Sequence, residues 1–173
     1  MARLTGEFEK LDRQIRKLKG ADKALDIVAR QCGETTLDLI RDGFRNERDP
    51  YGDKWKAPLL RKGRALSDRG RLRSSWHIAK ANRSELRVAT AVSYAGYHQS
   101  GTGVFGPRKK PIVPVNKRAL SWKVGRQRYF ASSVQGAPKR LMVPTKSRGL
   151  PKRWRTELIA TAQEVLETEL GPG

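Results

Sequence analysis

Apolar residues recur at three- and four-residue steps from Leu4 to about Arg45. Leu4, Phe8, Leu11, Ile15 and Leu18 come first, and Leu25, Val28, Ala29, Cys32, Leu37, Ile40 and Phe44 resume the series after Gly20. That spacing predicts two helices or one kinked helix, with Gly20 and Gly33 as the weak points, each costing about 1 kcal/mol relative to Ala in a helix interior. A face of Leu, Ile and Phe at this period is core or a surface for a partner helix. Cys32 on that face reads as a small buried hydrophobe rather than a nucleophile. The helical pattern ends in Asp49-Pro50-Tyr51-Gly52-Asp53-Lys54-Trp55, where Pro50 and Gly52 supply turn chemistry and Trp55 is the plate that pins the loop to the core.

Further along, the period shifts toward two. Ser67-Asp68 is placed to cap a short helical turn carrying Leu72 and Ser75, which feeds a strand in which Trp76 and Ile78 alternate. A second β-like run, Ser84 to Val92, has Leu86, Val88, Thr90 and Val92 on one face and pairs with Trp76 to Lys80 through a hairpin turned at Ala81-Asn82-Arg83. Ile112 to Val115 follows, then Ala119 to Val124 and Gln127 to Ala131, separated by Gly125-Arg126 as a second hairpin. Lys152 to Leu170 is a helix with Trp154, Leu158, Ala162, Val165, Leu166 and Leu170 on one side. Its acids lie toward the C-terminus and its bases toward the N-terminus, opposite to the preference of the helix macrodipole, as if a partner compensated each end. These elements predict one α+β domain over 1–173: an N-terminal helical segment (1–45), a loop with a short helix (46–75), an antiparallel β-sheet (76–131), a basic connection (132–151) and a C-terminal helix (152–170).

The stretch Tyr94-Ala95-Gly96-Tyr97-His98-Gln99-Ser100-Gly101-Thr102-Gly103 ends the second strand and runs into aromatics, an imidazole and glycines. It reads as a strand that breaks into a mobile arm, 101–111, too polar to pack, with 132–151 as a second basic arm. Tyr94, Tyr97, His98, Gln99 and Gly101 form the root of the first arm, where His98 and Gln99 hydrogen-bond backbone groups.

Charge changes the picture most. The formal net charge is +20, and no Asp or Glu occurs between Glu85 and Glu157. Such an excess repels itself and calls for a polyanion or an acidic protein surface nearby. Arg108, Lys109, Lys110, Arg126, Arg128, Lys139 and Arg140 are the candidates for a subunit interface or a DNA channel. Enzyme chemistry is poorly served. His77 and His98 are the only imidazoles and Cys32 the only thiol, with no carboxylate close in sequence to orient His98. Asp49 and Asp53 in a turn fall short of a calcium loop, so no metal and no cofactor are expected. A lone cysteine excludes an intrachain disulfide and fits synthesis in a reducing compartment, and no apolar run predicts a signal peptide or a membrane partner. Basic segments interleaved with Trp122, Tyr129, Phe130 and Trp154 leave a nucleic-acid-binding module as the alternative to an assembly protein.

Three motifs in order carry a resemblance: P-x-G-x-x-W at Pro50 to Trp55, L-x-x-x-G-x-L-x-x-S at Leu66 to Ser75, and Y-A-x-x-H-Q-x-G at Tyr94 to Gly101. Together they resemble the phage virion morphogenesis, or tail completion, family. Lys117-Arg118-Ala119-Leu120-Ser121-Trp122 is similar to the K-A-L-x-W strand of related neck proteins, so the likeness spans most of Asp49 to Phe130. The chain departs from the family where an A-R-P-F-like segment precedes the last helix, having Pro138-Lys139-Arg140-Leu141-Met142-Val143-Pro144 instead. The resemblance implies a structural, non-enzymatic protein of the head-to-tail joint of a tailed bacteriophage, made in the host cytoplasm and residing in the virion. It further implies a homo-oligomeric ring of six copies that meets neck proteins (adaptor, stopper or tail terminator) and the tail tube around a channel for phage DNA.

Overall fold

The computed structural model describes residues 3–58 and 63–170, with 3–19 described as backbone alone. In chain order the elements are α1 (Arg3–Asn46), α2 (Arg71–Ser74), β1 (Trp76–Asn82), β2 (Glu85–Thr90), α3 (Ala95–Ser100), a 3-10 turn (Gly103–Phe105), β3 (Leu120–Val124), β4 (Gln127–Ala131) and α4 (Lys152–Leu170). This is the α+β class expected, with a helix at each end. The single antiparallel sheet is replaced by two separate two-stranded ladders, β1-β2 and β3-β4. Among the described residues, no helix is long and apolar enough to cross a membrane. The chain divides into two compact units: residues 1–38, 77–89 and 152–173 in the first, 39–76 and 90–151 in the second.

In the first unit, α1 runs through both glycines as one continuous helix, not two. Gly33 is no break point. A Cβ built there would lie 2.6 Å from Ile78 Cδ1 and 3.2 Å from Leu86 Cδ1, so the missing side chain is the seat of the β1-β2 hairpin. Of the expected face, Leu37, Ile40 and Phe44 are buried, whereas Leu25 is exposed and its neighbour Ala24 is buried in its place. The face formed by Leu4, Phe8, Leu11, Ile15 and Leu18 lies outside the described side chains. The hairpin forms, but its turn is Arg83-Ser84 and not Ala81-Asn82-Arg83, because β1 runs on through Ala81 and Asn82 and the Asn82 side chain closes the turn by accepting from the Ser84 and Glu85 amides and the Ser84 hydroxyl. Arg83 fastens the tip to α1, its amide donating to Asp26 Oδ1 at 2.7 Å and its guanidinium pairing with Asp22. Helix α4 meets α1 through polar contacts, with Thr35 and Thr161 hydroxyls 2.9 Å apart and the Cys32 thiol 3.7 Å from the Leu158 carbonyl. Burial raises the Cys32 pKa, which favours the neutral thiol over the thiolate. In keeping with the charge pattern, the first turn of α4 has no acid and the last no base.

The core of the second unit is built on Leu39, Ile40, Phe44, Trp55, Ala65, Leu72, Val92, Ala95, Leu141 and Met142, all buried. The expected Ser67-Asp68 cap is absent: α2 starts after Gly70 at φ 72°, with no side-chain cap bond. Tyr94 to Gly103 does not run as a strand into an arm, because Ala95–Ser100 is a helix ended by Gly101 at φ 77°. The β3-β4 hairpin turns at Gly125-Arg126 as predicted, in the register Leu120↔Ala131, Ser121↔Phe130, Trp122↔Tyr129, Lys123↔Arg128 and Val124↔Gln127.

The two glycines of α1 should respond in opposite directions to substitution. A methyl group at Gly20 would find nothing within 4 Å, so Gly20→Ala should stabilise the chain by up to about 1 kcal/mol. Gly33→Leu, forced against Ile78, should destabilise it by about 1–3 kcal/mol. Urea denaturation of both variants checks this.

Candidate functional site

The functional residues of the second unit are arranged around one backbone segment, Lys139 to Val143. The Arg140 amide donates to the His98 carbonyl at 2.8 Å. Its guanidinium donates to the carbonyls of Lys56 and Ala57 at 2.8 and 3.1 Å. Next, the Leu141 carbonyl accepts from Trp55 Nε1 at 3.0 Å. Gln99 completes the set: its Oε1 accepts from the Met142 amide at 2.8 Å and its Nε2 donates to the Val143 carbonyl at 2.7 Å. Trp55 packs edge-on against Phe44, ring centroids 5.3 Å apart, so the segment is tied to α3, to the turn after α1 and to α1 itself. Trp55 pins its loop as expected, but what it bonds to is the segment whose composition suggested a free arm.

That turn is held by a second group of contacts. Asp49 Oδ1 accepts from the Tyr51 and Asp53 amides, and Gly52 takes φ 95°. Tyr51 donates its hydroxyl to the Gly149 carbonyl at 2.8 Å and accepts from the Thr145 amide at 3.0 Å. Arg148 lies 3.6 Å above the Tyr51 ring and pairs with Asp49 and Asp53 at 3.8 and 3.5 Å. Pro50, half-buried, is the remaining member of the predicted turn.

The two arms are stitched to each other. Thr102 and Val104 amides donate to the Ala137 and Gln135 carbonyls, and Ile112 exchanges both backbone bonds with Val134. The backbones cross so closely that a Cβ at Gly103 would lie 2.1 Å from Gln135 O, and one at Gly136 would lie 2.3 Å from Thr102 O. Glycine is required at both. Polar composition is therefore a poor guide here: these segments pack through backbone pairing, to which 132–151 adds the buried Leu141 and Met142.

Most of the predicted cations do stay outside. Arg108, Lys109, Lys110, Arg126, Arg128 and Lys139 are exposed. Arg140 departs from that expectation: at 6% exposure, with its guanidinium on two carbonyls, it is a structural clamp and not a free contact for a partner. Of the predicted arm-root residues, Tyr97 is exposed, Tyr94 contacts the His98 ring edge-on at 6.0 Å, and Gln99 bonds to Met142 and Val143. Nothing in the sequence marks Tyr51 and Arg148, since no pattern links positions so far apart.

His98 lines a cleft of about 1040 Å³, walled by Leu66, Leu72, Tyr94, Trp122 and Val134 among others. Its Nδ1 and the Trp122 Nε1 are buried without a hydrogen-bond partner among the described residues. Burial, with the Arg140 charge adding to it, holds the imidazole below its usual range. Among the described residues no hydrogen bond joins the His98 ring to a carboxylate or hydroxyl, so His98 is not the base of a nucleophile–base–acid series there. Nor do the described residues contain three metal-ligating side chains in one cluster.

Compared with known families, residues 6–148 match the model of the phage virion morphogenesis family. The chain belongs to that family. No curated protein and no solved structure matches it. Membership gives this virion morphogenesis protein a part in the structure or assembly of a phage virion. The matched span takes in all three sequence motifs, and two of them supply the clamp: the P-x-G-x-x-W turn contributes Trp55, and Y-A-x-x-H-Q-x-G contributes His98 and Gln99.

Two outcomes test the clamp of this virion morphogenesis protein. Gln99→Ala leaves the Met142 amide and Val143 carbonyl without their side-chain partner and should cost about 2–4 kcal/mol in urea denaturation. His98 should make stability depend on pH. Its folded-state pKa is depressed, so its contribution is complete above pH about 6.5 and is lost as pH falls, because the unfolded chain takes up the proton first. Melting temperature should drop between pH 7 and pH 5, and His98→Leu should remove part of that drop.

Proposed function

We propose that this chain is a structural, non-catalytic subunit of the head-to-tail joint of a tailed phage, one of six copies that close a ring to complete the tail or connect it to the capsid neck. Family membership is the observation that carries this reading. Exposed apolar side chains support it. Val113 and Val115, on the segment between the stitched arms and β3, are 55% and 92% exposed, and Tyr97 on α3 is 65% exposed. Apolar groups so placed on an assembly protein suit burial against a neighbouring subunit. The segment around Val113 to Arg118, rather than the whole of 101–111 and 132–151, is then what reaches the next copy, since 132–151 is occupied within its own unit. The adaptor, stopper or tail terminator and the tail tube are the partners on either side, and the protein resides in the virion.

Native mass spectrometry and negative-stain imaging test the ring. A closed symmetric oligomer, dispersed by Val113→Asp with Val115→Asp, is expected. Particles that contain the chain as isolated copies at scattered positions would exclude the reading.

A further inference from the structure

The outer face of β3-β4 is built against its own stability. In the ladder, Lys123 stands directly opposite Arg128 and Ser121 opposite Phe130, and directly opposed residues share a face. All four are exposed, with Phe130 at 66%. Two like charges across a ladder repel each other, and Arg126 in the turn adds a third cation at one end of the ribbon. Among the described residues no ion pair involves Lys123, Arg126 or Arg128, and no acid occurs in sequence between Glu85 and Glu157. The opposite face is fixed, because Trp122 and Tyr129 stack at 5.9 Å with Trp122 turned into the cleft. The ribbon thus presents a cationic face that carries one exposed aromatic ring.

We propose that this face is a binding surface for duplex DNA, in which Lys123, Arg126 and Arg128 contact phosphates and Phe130 makes the apolar contact with sugars or base edges. A two-stranded ribbon has the width to enter the major groove of B-form DNA. Cations without acids between them suit a phosphate backbone, and the exposed aromatic ring beside them suits the sugars or base edges that a groove offers. The surface does not depend on the ring: DNA binding can fail with the oligomer intact, and the oligomer can fail with DNA binding intact.

Fluorescence anisotropy of the full chain with a labelled duplex of arbitrary sequence, about three helical turns long, titrated over a range of salt, tests the proposal. A protein of net charge +20 binds DNA to some degree through charge alone, so the decisive comparison is between two variants that lose equal charge. Replacing Lys123, Arg126 and Arg128 by Gln should weaken binding about tenfold or more and flatten the log–log salt slope by about 2–3, at roughly 0.9 for each phosphate no longer neutralised. Replacing Arg108, Lys109 and Lys110 by Gln should do distinctly less. Phe130→Ala should weaken binding without altering the slope. Equal losses in the two triple variants would overturn the proposal, as would unaltered DNA binding in the ribbon triple with failed incorporation into particles, which would assign the face to an acidic protein. Lys123→Glu gives a readout safe from misfolding: opposite Arg128 it should raise the melting temperature while it weakens DNA binding, and a variant that melts higher yet binds DNA as the parent does would also refute the assignment.

Discussion

Four consecutive residues, Arg140 to Val143, hold the second unit together. Their backbone groups bond to Trp55, His98 and Gln99, the Arg140 guanidinium grips two further carbonyls, and Leu141 and Met142 fill the core between them. The arrangement follows from the charge distribution. With no carboxylate from Leu86 to Thr156, loops in that stretch cannot be fixed by ion pairs among themselves. They are fixed by side-chain amide, guanidinium and phenol groups bonding to main-chain groups, as at Gln99, Arg140 and Tyr51. The acids that do reach these loops come from the turn after α1, where Asp49 and Asp53 meet Arg148.

The same constraint directs the remaining cations outward. One guanidinium can be buried when carbonyls surround it, as at Arg140, but a whole set cannot, so the others collect on the stitched arms and on the outer ribbon face. There they raise the free energy of the subunit alone and lower it when an anion arrives. For a member of the phage virion morphogenesis family, a subunit left charged in isolation is suited to being completed by assembly.

Much of this is legible in the chain. Both hairpins are, because Gly125-Arg126 and the polar residues around Asn82 and Arg83 each separate runs of alternating residues, and so is α4, whose apolar side repeats at helical spacing. The motifs lead to the right family and to Trp55, His98 and Gln99. What stays hidden has a common cause. Helix α3 is short, its Ala-Gly-Tyr-His-Gln-Ser sequence has little helical preference, and tertiary bonds from Gln99 hold it in place. The crossing at Gly103 and Gly136 leaves no side-chain pattern at all, and a buried arginine bonded to carbonyls looks in sequence like any surface arginine. Helix propensity marks Gly33 as a weak point, whereas its role is set by Ile78 from a distant strand.

Amide hydrogen exchange on the isolated subunit tests the clamp most directly. Arg140 and Met142, with Thr102, Val104, Ile112 and Val134 beside them, should be protected before any assembly takes place, while Val113 to Arg118 should exchange as open chain does. Exchange through Arg140 to Val143 as rapid as that of Val113 to Arg118 would contradict the account, for the segment would then be an arm awaiting a partner and not the thread that holds its own unit.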